Sequence, residues 1–226
     1  MSSSPDPAEI ARRQETLAER LSAVRERMAT AGGNDVTLLA VSKGHPVEAA
    51  IAASNLGLEV LGESYAQELM AKAELLAAGA GPPVQWHFIG QLQTNKVRLI
   101  ADRVSLWQSV DRIKVGREIA KRAPGARVLA QVNLSSESQK AGCSFSAVGD
   151  LVKELQDLGL VVEGLMGIGT AGNDAATSAG FARLRRAVDT HELTECSMGM
   201  TADLEQAIAE GSTMVRVGTD IFGARD

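Results

Sequence analysis

Soft metal ligands are scarce in this 226-residue chain, which has two cysteines and three histidines. His45, His87 and His191 form no HxxxH pair. Cys143 and Cys196 lack a CxxC spacing, so no zinc-type site is expected and no metal ligand is assigned. Two such cysteines read as free thiols of a reducing compartment. No apolar run is long enough to span a bilayer. Residues 1–6 are Ser-rich and polar, without the apolar stretch of a secretory signal. The expected location is therefore the cytoplasm, with no membrane partner. A net charge of −5 argues against a general nucleic-acid binder. The turn after the first apolar run reads Ser42-Lys43-Gly44-His45-Pro46 and carries no GxGxxG, which disfavours a dinucleotide-binding sheet.

What remains is an ordinary globular balance, 45% hydrophobic and 23% charged. It suffices for one substantial core. Residues 7–31 read as a helix, because Ile10, Leu17, Leu21, Val24 and Met28 form one apolar stripe. Gly32 and Gly33 stop it. Short apolar runs then alternate with helical patterns. The runs cover residues 36–42, 58–61, 84–89, 104–107, 127–133, 161–168, 193–197 and 214–217. The helical patterns cover 46–56, 65–78, 93–101, 111–122, 147–158, 175–188 and 201–209. Strands alternating with helices imply parallel βαβ units. Eight of them in this length fit an α/β fold, a (β/α)8 TIM-type barrel with an extra N-terminal helix. One domain over 1–226 is expected, with residues 1–33 packed on the barrel. A monomer is expected.

Ligands of such barrels sit at the carboxyl ends of the strands, and phosphates favour the loops after strands seven and eight. Lys43 closes the first strand, and an amine there can form a Schiff base with a carbonyl. The competing reading is a rim lysine that reaches solvent. Ser197-Met198-Gly199-Met200 follows strand seven, on the opposite side of the mouth by this reading. Arg216-Val217-Gly218-Thr219 closes strand eight. Small residues and hydroxyls in these segments suit a phosphate cradle; a plain turn with Ser197 or Thr201 as helix cap is the alternative. Arg216 shares a strand face with Met214 and Gly218. It either forms an internal salt bridge, to Glu63 or Glu163, or donates to a pyridine nitrogen. Amine, phosphate cradle and ring partner together suggest pyridoxal 5′-phosphate (PLP). His87 shares a face with Ile89 and reads as a structural or cofactor-wall residue. Tyr65, the only tyrosine, anchors a helix start; Asn95 and Lys96 cap and solvate the next helix. Lys140 reads as a solvated loop amine, and residues 167–173 as a mobile Gly-rich loop.

Ala40-Val41-Ser42-Lys43, Gly62-Glu63-Ser64-Tyr65, His87-Phe88-Ile89-Gly90, Gln93-Thr94-Asn95-Lys96 and Gly164-Leu165-Met166 occur in that order. Ser197-Met198-Gly199-Met200, Arg216-Val217-Gly218-Thr219 and Ile221-Phe222-Gly223-Ala224-Arg225 follow them. Together they resemble the YggS/PROSC family of PLP-binding proteins, also called PLP homeostasis proteins. The resemblance implies the barrel of bacterial alanine racemase without its second domain. It implies PLP held as a Schiff base on Lys43. It places Ser197, Gly218, Thr219 and the backbone of Met198, Gly199 and Met200 around the phosphate, with Arg216 at the ring nitrogen. It implies a non-catalytic carrier in PLP homeostasis with apo PLP-dependent enzymes as recipients, and no catalytic residue. A racemase-like enzyme acting on a small amino acid is the alternative. The family's usual Gly-Glu-Asn-Tyr reads Ser64 at its third position, which puts a cofactor contact from that side chain in question. Its usual Met-Ser-x-Asp reads Met200-Thr201-Ala202-Asp203, where the Thr201 hydroxyl still suits a cap.

Overall fold

The computed structural model describes residues 4–135, 140–170 and 172–224. Ala171 of the Gly-rich loop, residues 136–139 of the loop that precedes Lys140, and Arg225 of the C-terminal motif lie outside the described residues. The strands are β1 (Thr37–Val41), β2 (Val60–Glu63), β3 (Gln85–Phe88), β4 (Val104–Val110), β5 (Arg127–Val132), β6 (Val161–Gly167), β7 (Glu195–Ser197) and β8 (Met214–Val217). They pair in parallel, each with its neighbour, and β1 pairs with β8 to close the barrel. The helices are α1 (Pro7–Thr30), α2 (Val47–Asn55), α3 (Ala66–Leu75), α4 (Thr94–Ile100), α5 (Ile113–Arg122), α6 (Val148–Asp157), α7 (Asp174–Thr190), α8 (Leu204–Ala209) and α9 (Thr219–Phe222).

Strand alternation builds two cores. Leu39 and Val41 of β1 point inward and join Leu106, Leu129, Met166 and Met214 inside the barrel. Ala40, between them, faces outward into the larger core beneath the helices. Helix α1 starts on an Asp6 cap that accepts from the Ala8 amide at 3.0 Å, with Pro7 in its first turn. It buries Leu17, Leu21, Val24 and Met28 against α2, α8 and α9. Each such side chain contributes about 1.5–3 kcal/mol of burial.

Three boundaries differ from the sequence pattern, each for a physical reason. β2 runs to Glu63, although Gly62 and Glu63 look like turn residues. A Cβ on Gly62 would come within 3.2 Å of Leu39, so glycine fits the crowded interior. Glu63 is fully buried because charged and polar groups meet it there, as described below. β4 extends three residues beyond Trp107, carrying buried Gln108 and Ser109. α8 begins at Leu204 with Asp203 at its cap position, so neither Thr201 nor Ser197 caps it. The short α9 has no counterpart in the apolar pattern.

Candidate functional site

Lys43 follows β1 in a tight turn completed by Gly44, whose φ of 76° is in the left-handed region open to glycine. The residue is half-buried. It lines a cavity of about 440 Å³ at the carboxyl ends of β2 and β3, together with Ser64, Tyr65, Ile89, Gly90 and Lys96. Tyr65 leads into α3 through its backbone carbonyl, which accepts from Leu69 at 3.0 Å; its side chain is 51% exposed and makes no cap bond. Asn95 lies within the first turn of α4, where Gln93 holds the cap position. Lys140 is exposed on the loop after β5.

Barrel closure corrects the expected placement of the two halves. β8 is the neighbour of β1, so the Lys43 turn lies beside the Gly218–Thr219 turn and not across the mouth from it. A Cβ on Gly218 would sit 3.3 Å from the Val41 carbonyl. The His45 ring also packs on Phe222 of α9, with centroids 5.4 Å apart. The amides of Gly218 and Thr219 have no acceptor among the described residues. Two other expected donors are engaged. The Met198 amide donates to the Met214 carbonyl at 3.1 Å, and the Met200 amide donates to the Asp203 carboxylate at 2.6 Å. Gly199 is buried at φ 93°, where a Cβ would lie 2.4 Å from that of Ala207.

Inside the barrel a directional chain of hydrogen bonds crosses five strands. Arg216 donates to the Gly167 carbonyl at 2.8 Å and to Ser197 Oγ at 2.9 Å. Ser197 then donates to Gln108 Oε1 at 2.7 Å. That fixes the Gln108 amide so that its nitrogen meets His87 Nδ1 at 2.9 Å and Met214 Sδ at 3.1 Å. His87 Nδ1 is therefore the acceptor, and its ring proton is on Nε2. Burial, aided by the Arg127 charge, pushes His87 down to about 4. Burial lowers Arg216 to about 10, which leaves it cationic at neutral pH. The salt bridges considered for Arg216 are absent among the described residues. Glu63 pairs with Lys72 at 2.6 Å and Glu163 accepts from Arg127 at 2.9 Å. The Ser197 hydroxyl is turned into the barrel, held between Gln108 and Arg216. Sequence reasoning missed Gln108. Its signal was the position two residues after Leu106, which puts a polar side chain on the inward face; a register shift then turns Val110 outward.

Fold and mouth together define a small-molecule-binding parallel barrel, with an amine beside open backbone amides at the carboxyl ends of adjacent strands. The family described as alanine racemase, N-terminal domain, matches residues 13–226. The pyridoxal phosphate homeostasis protein of Pseudomonas aeruginosa is 43% identical over 93% of this chain and 96% of its own length. The chain belongs to the family of pyridoxal phosphate homeostasis proteins. The solved structure of PipY from Synechococcus elongatus with PLP bound is 32% identical, with a TM-score of 0.80 over 92% of this chain and all of its own. An alanine racemase of Clostridium difficile shares the fold, at 14% identity and a TM-score of 0.72. The match covers 93% of this chain and 60% of the racemase.

Proposed function

We propose that this protein binds PLP as a Schiff base on Lys43 and acts as a non-catalytic carrier in PLP homeostasis. The observation that carries the reading is the adjacency of the Lys43 turn and the open Gly218–Thr219 amides across the β1–β8 seam. An aldehyde and a phosphate on one small molecule need an amine and anion donors side by side. The PLP-bound relative with a TM-score of 0.80 supports the same ligand.

PLP supplies an aldehyde for amines and a conjugated ring. Lys43 would hold the aldehyde carbon, and Gly218 and Thr219 the phosphate. Met198, Gly199 and Met200 would shape the wall beside it, with Ser64 and His87 at the sides. Ser197 would act by holding Arg216. Arg216 would face the ring nitrogen, and as a pure donor it would offer that nitrogen no acceptor for its proton.

Two features support carriage over turnover. His87 is neutral, buried and committed to Gln108, so it is a poor proton donor near pH 7. Tyr65 is half-exposed on the rim. Water, or the amine of a recipient apo-enzyme, would release the cofactor from Lys43.

Ultraviolet–visible spectra of the protein with PLP, beside those of Lys43→Ala, test the reading. Visible absorption that requires Lys43 and becomes permanent on borohydride reduction is expected. Absence of that band in the parent protein would sink it. Sustained turnover of an amino acid, abolished by Lys43→Ala, would replace the carrier with an enzyme.

A further inference from the structure

Beneath the Lys43 turn lies a buried charged cluster that the cofactor reading does not use. Lys72 of α3 is 3% exposed, and Glu63 of β2 is fully buried. Lys72 Nζ donates to Glu63 Oε1 at 2.6 Å and to the Ser42 carbonyl at 2.8 Å. The Ser42 hydroxyl donates to the same Glu63 oxygen at 2.7 Å. One helical turn before Lys72, Glu68 Oε2 accepts the Gly44 amide at 2.7 Å and lies 3.5 Å from Lys72 Nζ. The backbone groups gripped are those of residues 42 and 44, on either side of Lys43.

Stability alone is a poor account of this cluster. Replacing a buried ion pair by well-packed apolar groups is often neutral or stabilising. Here burial outweighs the Lys72 attraction and raises Glu63, and the second Glu63 oxygen has no hydrogen-bond partner among the described residues. What the cluster does is hold a tight turn from both flanks, using side chains from β2 and α3. A flexible lysine amine gains reach and direction from a fixed backbone, and imine formation depends on the direction of attack.

We infer that Glu63, Lys72 and Glu68 are positioning residues that set the approach of the Lys43 amine to its carbonyl ligand. The inference rests on Lys43 being the residue that condenses with the aldehyde. In that step the amine nitrogen bonds to the aldehyde carbon and one water leaves.

Glu68 is the residue to change, because its side chain is one-third exposed and outside the core. Parent, Glu68→Ala and Glu68→Gln proteins are mixed with PLP. Borohydride then delivers hydride to the C=N bond, and labelled Lys43 peptide is counted by mass spectrometry against time. Glu68→Ala is expected to slow labelling about tenfold with an unchanged melting temperature. Glu68→Gln keeps an acceptor oxygen for the Gly44 amide and is expected to restore the rate to within about twofold. Parent-like labelling of Glu68→Ala overturns the inference. So does a Glu68→Gln protein as slow as Glu68→Ala, because the charge and not the backbone grip would then matter. If the parent takes no PLP at Lys43, the cofactor reading fails. The same three proteins treated with glyoxylate and borohydride then decide the positioning role by the same two comparisons.

Discussion

Protonating His87 would break the donor chain that ends on its Nδ1, and burial already opposes the charge. The unfolded chain takes up this proton near pH 6.5, and the folded chain near 4. Between those values the unfolded state holds more protons, so stability rises with pH. The contribution is complete above pH 6.5 and is lost as pH falls toward 4, by about 3 kcal/mol in full. Glu63, raised by burial, works the other way above its ordinary value, so the comparison must be internal. Urea unfolding at pH 7 and pH 4.5 should show a smaller loss for His87→Gln than for the parent. Parallel losses would mean that His87 is not neutral in the fold. The thiols give a simpler check. Cys196 is fully buried, and burial pushes it up to about 12. Both cysteines are free. Alkylation of Cys196 at neutral pH should therefore need unfolding; rapid labelling of the native protein would contradict the packing around β7.

Among the elements, the β2 and β3 loops touch most closely at Gly90. A Cβ there would lie 2.1 Å from the Ser64 carbonyl oxygen, which is backbone and cannot swing aside. Gly90→Ala is expected to cost about 3 kcal/mol and to displace Ser64 in the Lys43 cavity. Calorimetry and PLP titration of the variant would check both effects. A normal melting temperature would show that the loops can separate. The same region shows how far the sequence could be read. Apolar runs and Gly punctuation located all eight strands and the helices α1 to α8, because alternating burial leaves a periodic trace. Gln108 and Lys72 were invisible as core residues, and Glu63 was considered inside only as a partner of Arg216, because their burial is licensed by partners 9 to 106 residues away. Lys43, Arg216 and Gly218 stood out as unusual residue types at strand ends. Their mutual adjacency was not legible, since only closure of β1 onto β8 produces it.

For the whole molecule, α1 does more than cover the barrel. Arg27, near its carboxyl end, donates to Glu205 of α8 at 2.7 and 3.0 Å, to the Thr201 carbonyl at 2.9 Å, and to Asp220 of α9. One side chain thus ties the loop after β7 to the loop after β8, across 174 to 193 residues of sequence. Glu205, ahead of Asp220, holds the Arg27 guanidinium above its ordinary range. Arg27 is about one-third exposed, so solvent screens these pairs. Their joint contribution to stability is about 1 kcal/mol. The functional effect should be larger than that figure suggests, because Gly218 and Thr219 sit on one of the tied loops. Arg27→Met keeps most of the apolar stem and removes every donor. It is expected to lower the melting temperature by only a few degrees and to weaken PLP binding severalfold. The visible band of the bound state should keep its position, since Lys43 and Arg216 are untouched. Deleting α1 would be a worse test, because it removes the buried Leu17, Leu21, Val24 and Met28 and exposes the core they cover. If Arg27→Met binds PLP as tightly as the parent, α1 is only a lid on the core, and the phosphate loops hold their shape without it. If the affinity falls while the band persists, the N-terminal helix belongs to the binding site, although it lies on the outside of the barrel.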